Sequence, residues 1–198
     1  MRKHTITAAI VACLLSTSNT VLPAQTSQPP FVPMTGSQRL SQYFKNTFSP
    51  MSFVTSGASA GIGQWRNRPR AWQQGGEGYG RRYASSYAEH IVQETLIFGA
   101  SSVLHEDNRF IPSGQAGKWN RVKYAVASTF LARHDDGTRH LSISRLAGFA
   151  GAALVSRMWQ PTSHHIFRSG TINFGISLSV ATGFNVAREF LPFIFNRK

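Results

Sequence analysis

Tyr79-Gly80-Arg81-Arg82-Tyr83-Ala84-Ser85-Ser86-Tyr87-Ala88, with its continuation to Leu104, decides how this chain is read. Gly80, Ala84 and Ala88 stand four apart, each behind a tyrosine, and Ile91, Thr95 and Phe98 prolong one face with Leu96 and Val103 beside it. Arg81, Arg82, Glu89 and Glu94 spread charge along the stretch, and nothing in it alternates with the period of two that a strand requires. The spacing predicts a helix over 79–104 whose small residues form a smooth stripe open to close approach by another backbone.

The same spacing returns at Gly148, Ala152 and Ser156, and at Thr171, Gly175, Ser179, Gly183 and Ala187. Helices are expected over 142–159, closed by Pro161, and over 170–190, stopping before Pro192, with another over 118–132. A short amphipathic helix fits Leu40, Tyr43, Phe44 and Phe48. The expected fold class is therefore all-α, a small-residue-rich, membrane-associated bundle of about four to five helices. One segment also supports a rival. Ile172, Phe174, Ile176, Leu178 and Val180 alternate with Thr171, Asn173, Gly175, Ser177, Ser179 and Ala181, as in a small outer-membrane β-barrel.

Arg2 and Lys3, the apolar run Ile6 to Leu15 and the small-residue close Leu22-Pro23-Ala24 follow the order of a secretory signal peptide. The expected division is a signal peptide at 1–24, a flexible Ser/Thr/Pro/Gln-rich leader at 25–36 and a single helical domain at 37–198. Ile10-Val11-Ala12-Cys13 resembles a lipobox, but Leu14 and Leu15 continue the apolar run past it. Cys13 is the one cysteine. Cleavage after Ala24 leaves no disulfide, thiolate zinc site or cysteine nucleophile.

The formal charge is +13, and all eight acids lie at or beyond Glu77. For an exported chain this basic balance points to an anionic lipid or lipopolysaccharide surface. No nucleic-acid motif is present, so no nucleic-acid partner is expected. Trp65, Arg66, Arg68, Arg70 and Trp72 form a cluster in which indoles suit a membrane interface and arginines suit phosphates. The small-residue stripes add a possible helix partner or homo-oligomer. No segment is a convincing solitary span, which favours lying on or partly in a membrane.

Two polar clusters carry the residue types of metal or acid-base chemistry, 105–109 and 133–136. A helix over 118–132 of about fifteen residues is about 22 Å long, which predicts the clusters at its opposite ends. A third helix would bring His164 and His165 back to the first end. The candidate catalytic set is then His105, Glu106, Asp107, His164 and His165, with His105, Asp107, His164 and His165 as candidate metal ligands of a periplasmic hydrolase. The second end is expected to be an ion-pair network of Asp135 and Asp136 with Arg81, Arg82 and Arg188. Neither cluster contains a defined catalytic or nucleotide-binding motif, and no cofactor is expected.

Gly61-Ile62-Gly63-Gln64, Gly76-Glu77-Gly78-Tyr79-Gly80-Arg81-Arg82-Tyr83, Leu104-His105-Glu106-Asp107-Asn108-Arg109-Phe110 and Phe184-Asn185-Val186-Ala187-Arg188-Glu189-Phe190-Leu191-Pro192 together resemble an uncharacterised family of exported bacterial envelope proteins. The resemblance runs from about Gly61 to the end and implies a helical, envelope-associated protein with no assigned reaction. The family pattern has proline where Asn108 stands. The expected function is that of an exported envelope or membrane-associated helical protein with a non-enzymatic, structural or interaction role. It would be placed in the periplasm or outer membrane.

Overall fold

The computed structural model describes residues 31–161 and 166–191. The signal-peptide and lipobox expectations, the first half of the leader, and His164 and His165 lie outside the described residues.

Among the described residues there are six α-helices: α1 (Gly36–Thr47), α2 (Pro50–Trp65), α3 (Gly76–Leu104), α4 (Lys118–Phe130), α5 (Ile143–Val155) and α6 (Ile166–Phe190). Three short strands, β1 (Glu106–Asp107), β2 (Leu131–His134) and β3 (Arg139–Leu141), make one antiparallel sheet in that order. The fold class is all-α, and the alternating segment at 171–181 is helix, part of α6. Alternation there does not decide, because a 25-residue helix satisfies its backbone internally whereas a lone strand would need ladder partners.

Local signals fix the boundaries. A capping box joins Thr35 and Gln38 at the start of α1. Ser49 caps α2 ahead of Pro50, whose missing N–H costs nothing at the first helical position. Helix α3 begins after Gly75, at φ 94°, and ends on His105, which takes the left-handed conformation at φ 54°.

Helix α3 is the spine. Along one face α1 and then α2 run antiparallel to it: Arg39 reaches Ser101 O at 3.0 Å, Asn46 reaches Glu94 at 3.1 Å, and Gln64 meets Arg82 at 2.7 Å. On another face α5 also runs antiparallel, from Ile143 beside Glu106 to Trp159, whose indole N–H reaches Ser85 at 3.1 Å. Helix α6 packs on α5 and α4, with Asn185 bonded to Thr129 at 3.0 Å.

The small-residue stripes have different fates. Gly148, Ala152 and Ser156 are buried against α3, where a Cβ on Gly148 would lie 3.1 Å from Gln93 O. Gly80 and Ala84 are exposed and Ala88 is half-buried, so the first stripe does not make the helix contact expected of it. The packed face of α3 lies about 130° away, on Gly78, Arg82 and Ser85. Gly175, Ser179 and Gly183 are likewise exposed.

The interior is unusually polar. The largest fully buried side chains are Glu106, Glu189, Thr47, Thr129, Ser142, Ser144 and Ser156, and the buried apolar set is mostly alanine. Large apolar residues look outward instead.

Candidate functional site

The 105–109 and 133–136 clusters are not at opposite ends of a helix; they share the sheet. Glu106 lies opposite His134 and Asp107 opposite Arg133, and His105 Nδ1 is 3.0 Å from Asp135 Oδ2. The reason is the segment 108–117, which runs out along α4 before the helix returns the chain. Tyr124 donates to Ile111 O at 2.8 Å, and Ser113 and Arg121 meet on Glu189. The expected second ion-pair network also differs. Asp135 pairs with Arg39 at 3.5 Å and Asp136 accepts from Thr138, whereas Arg81 pairs with Glu77. Arg82 donates to Gln64 and to the carbonyls of Arg68, Pro69 and Gln73, fixing the loop before α3.

Glu106, 1% exposed, is the centre of the first cluster. Its carboxylate accepts from the N–H groups of Ile143 and Ser144 at 3.0 Å each, from Ser144 Oγ at 2.5 Å and from Ser142 Oγ at 3.2 Å. It caps α5, where an anion is favoured by the unpaired amides and the helix dipole. Asn108 bonds Ser142 and Ser144 at 2.7 Å each. Arg145 returns from α5 to the carbonyls of Asn108, Ser128 and Thr129. Removal from water pulls the Arg145 guanidinium down to about 10, with Glu94 opposing the shift. Asp107 gives both oxygens to Arg109, at 2.6 to 3.0 Å.

These carboxylates are engaged in holding four segments together, and the described members of the expected catalytic set, His105, Glu106 and Asp107, each meet a different partner. Among the described residues no group of three or more His, Cys, Asp or Glu side chains is placed to hold a metal ion. Of the candidate ligands, His105 faces Asp135 while Asp107 faces Arg109.

Glu189 was not singled out by its sequence context and has an equally built setting. It accepts from Ser113 N at 3.0 Å, Ser113 Oγ at 2.5 Å and Arg121 Nε at 2.9 Å, while Arg121 Nη2 bonds its carbonyl. Burial pushes its carboxyl up, but the Ser113 and Arg121 bonds outweigh it and hold the group below the ordinary 4.5. Its stabilisation is therefore fully present above that pH and is lost as pH falls through the lower folded-state value. Glu189→Gln should flatten the acid limb: urea midpoints of variant and parent should converge between about pH 7 and about pH 3. A constant gap between them would refute this.

The other candidate surface is the outer side of α1 and α2. Leu40, Phe44, Phe48, Met51, Val54, Ile62 and Trp65 follow one another at helical spacing, and all are exposed, from 38% at Met51 to 85% at Trp65. Phe44 and Phe48 stack with centroids 6.1 Å apart. From Leu40 to Trp65 the stripe extends up to about 39 Å. Lys45, Arg66, Arg68 and Arg70 are exposed around it, and Trp72 is half-buried beyond the last of them. Sequence periodicity reveals only the α1 part, because Gly57, Ala58, Ala60 and Gly61 blur the contrast between the faces of α2. The last leader residues are held in place: Phe31 lies under the Arg133 guanidinium at 5.5 Å, and Val32 O accepts from Arg109.

No family model, curated protein or solved structure matches the chain.

Proposed function

We propose that this chain is an exported envelope protein of structural or interaction role that lies on an anionic membrane surface through the outer face of α1 and α2. The observation that carries the reading is the apolar stripe from Leu40 to Trp65, exposed along its length, in a segment without one acidic residue before Glu77. An exposed apolar patch of this extent marks an interaction surface, and the exposed Lys45, Arg66, Arg68 and Arg70 select an anionic one. Indole at Trp65 suits the headgroup level. No helix among the described residues is long and apolar enough to cross a membrane, which favours an in-plane attachment for this face. Export follows from the signal-peptide pattern at 1–24, and the envelope setting agrees with the family resemblance.

Flotation with vesicles tests this. The chain should float with phosphatidylglycerol vesicles, more weakly with phosphatidylcholine, and less as salt rises. Phe44→Asp/Val54→Asp/Ile62→Asp should reduce association at least about tenfold, since each apolar side chain contributes about 1.5–3 kcal/mol on burial. Absence of flotation, or flotation indifferent to these three changes, overturns the reading.

A further inference from the structure

The loop at 66–75, between α2 and α3, is built around one buried cation. Arg82 of α3 is 4% exposed. It donates from Nε to Arg68 O at 2.8 Å, from Nη2 to Pro69 O at 3.0 Å, and from Nη1 to Gln73 O at 2.8 Å and Gln64 Oε1 at 2.7 Å. Gln64 in turn donates to Gly75 O at 3.0 Å. Glycines make room for this guanidinium. A Cβ on Gly63 would lie 3.1 Å from Arg82 Cδ, and one on Gly78 would lie 2.6 Å from the carbonyl oxygens of Trp72 and Gln73 and 2.8 Å from Arg82 Nη1. Gly61-Ile62-Gly63-Gln64 and Gly76-Glu77-Gly78-Tyr79-Gly80-Arg81-Arg82 are thus the two halves of one scaffold.

Positive charge is what the scaffold carries. Arg66, Arg68 and Arg70 are exposed on it, and among the described residues nothing bonds to, pairs with or stacks on their guanidinium groups. Arg82 meets only neutral oxygens. No acid precedes Glu77, which is engaged by Arg81, so loop and Arg82 together hold four positive charges and no carboxylate. Their fields add. Each free guanidinium presents its N–H donors in the planar fork that matches phosphate oxygens. The apolar stripe of α1 and α2 ends at the same place, in Ile62 and Trp65.

We propose that this loop binds a lipid with two linked phosphate groups, an inference that rests on the membrane seat of the α1 and α2 face and names what that face selects. Three free forks within five residues exceed what one singly charged phosphodiester can use. Two phosphates joined in one molecule engage two forks together, because the second contact then forms at high effective concentration. The adjoining apolar stripe suits acyl chains, which a soluble diphosphate lacks.

Flotation with phosphatidylcholine vesicles containing either cardiolipin or twice the mole fraction of phosphatidylglycerol tests the loop. The two surfaces carry equal charge and differ in whether their phosphates are linked. The chain should favour cardiolipin at least about fivefold. Arg66→Lys/Arg68→Lys/Arg70→Lys keeps every charge and loses the forks, so it should float with phosphatidylglycerol as the parent does and lose the preference. Gly78→Ala changes no charge and displaces the loop from Arg82, and it should act in the same direction. Should Gly78→Ala fail to fold, the lysine variant, confined to exposed side chains, decides alone. Equal association with the two vesicles, or a preference that the lysine variant keeps, overturns the proposal and leaves the membrane reading standing. Inorganic pyrophosphate bound in calorimetry as tightly as cardiolipin would assign a soluble ligand and overturn it too. Flotation of the parent with cardiolipin alone, insensitive to Phe44→Asp/Val54→Asp/Ile62→Asp, would remove the apolar face as the attachment and keep the loop. Absence of flotation with either lipid overturns both.

Discussion

Glu106→Ala should lower the thermal midpoint by on the order of 10 °C, the largest loss expected of any single polar substitution in this chain. The side chain is 1% exposed and takes four hydrogen bonds, two from the first amides of α5 and two from Ser142 and Ser144. Alanine leaves the Ile143 and Ser144 amides and the Ser144 hydroxyl without this acceptor, while Ser142 Oγ keeps Asn108 Oδ1, and removing one partner of a buried charged group costs about 3–5 kcal/mol. The whole domain has about 5–15 kcal/mol to lose. Glu106→Gln keeps the shape but turns an amide N–H₂ toward donors, so it should fall between parent and alanine. Ser142→Ala, which also removes the Ser142 cap on Arg145 N, should cost about 1 kcal/mol. Thermal melts followed by far-UV circular dichroism check all three, and a Glu106→Ala midpoint within about 2 °C of the parent would show that α5 does not depend on this cap.

The position of this carboxylate explains what the sequence did and did not reveal. Residue types at 105–109 attract attention because His, Glu and Asp together serve catalysis in many proteins. Whether such a cluster reacts or holds structure depends on its partners, and those are Ser142, Ser144 and Asn108, none distinctive in sequence. Helices α3 and α5 were legible because their apolar and small residues recur over many turns. The sheet was not, because β1 has two residues and β3 three, too few for any period to show. Missing the sheet is also what separated two clusters that adjoin. In the same way α6 could be assigned to neither helix nor strand from alternation alone. It packs through positions such as Asn185 and Glu189 that lie outside the alternating stretch.

Gly148→Leu should separate α5 from α3, and even Gly148→Ala should cost about 1–3 kcal/mol. A Cβ at this position would fall inside the van der Waals shell of Ile97 Cγ1, near the base of that side chain, and 3.1 Å from the Gln93 carbonyl oxygen. Neither obstacle can swing away without moving α3. At Gly151 the Cβ meets Leu96 Cδ1 at 2.5 Å, the far end of a flexible side chain, so Gly151→Ala should cost less. Gly80, Gly175 and Gly183 have nothing within 4 Å of an added Cβ. Alanine at each should instead stabilise by about 0.5–1 kcal/mol through helix propensity. Urea midpoints at constant slope measure these differences. Because Gly80, Gly148, Gly175 and Gly183 belong to runs with the same four-residue spacing, a common loss across Gly80, Gly148 and Gly175 would mean that spacing alone sets close packing. Opposite signs at Gly148 and Gly80 would mean that the facing surface does, since only Gly148 has the backbone of another helix against it.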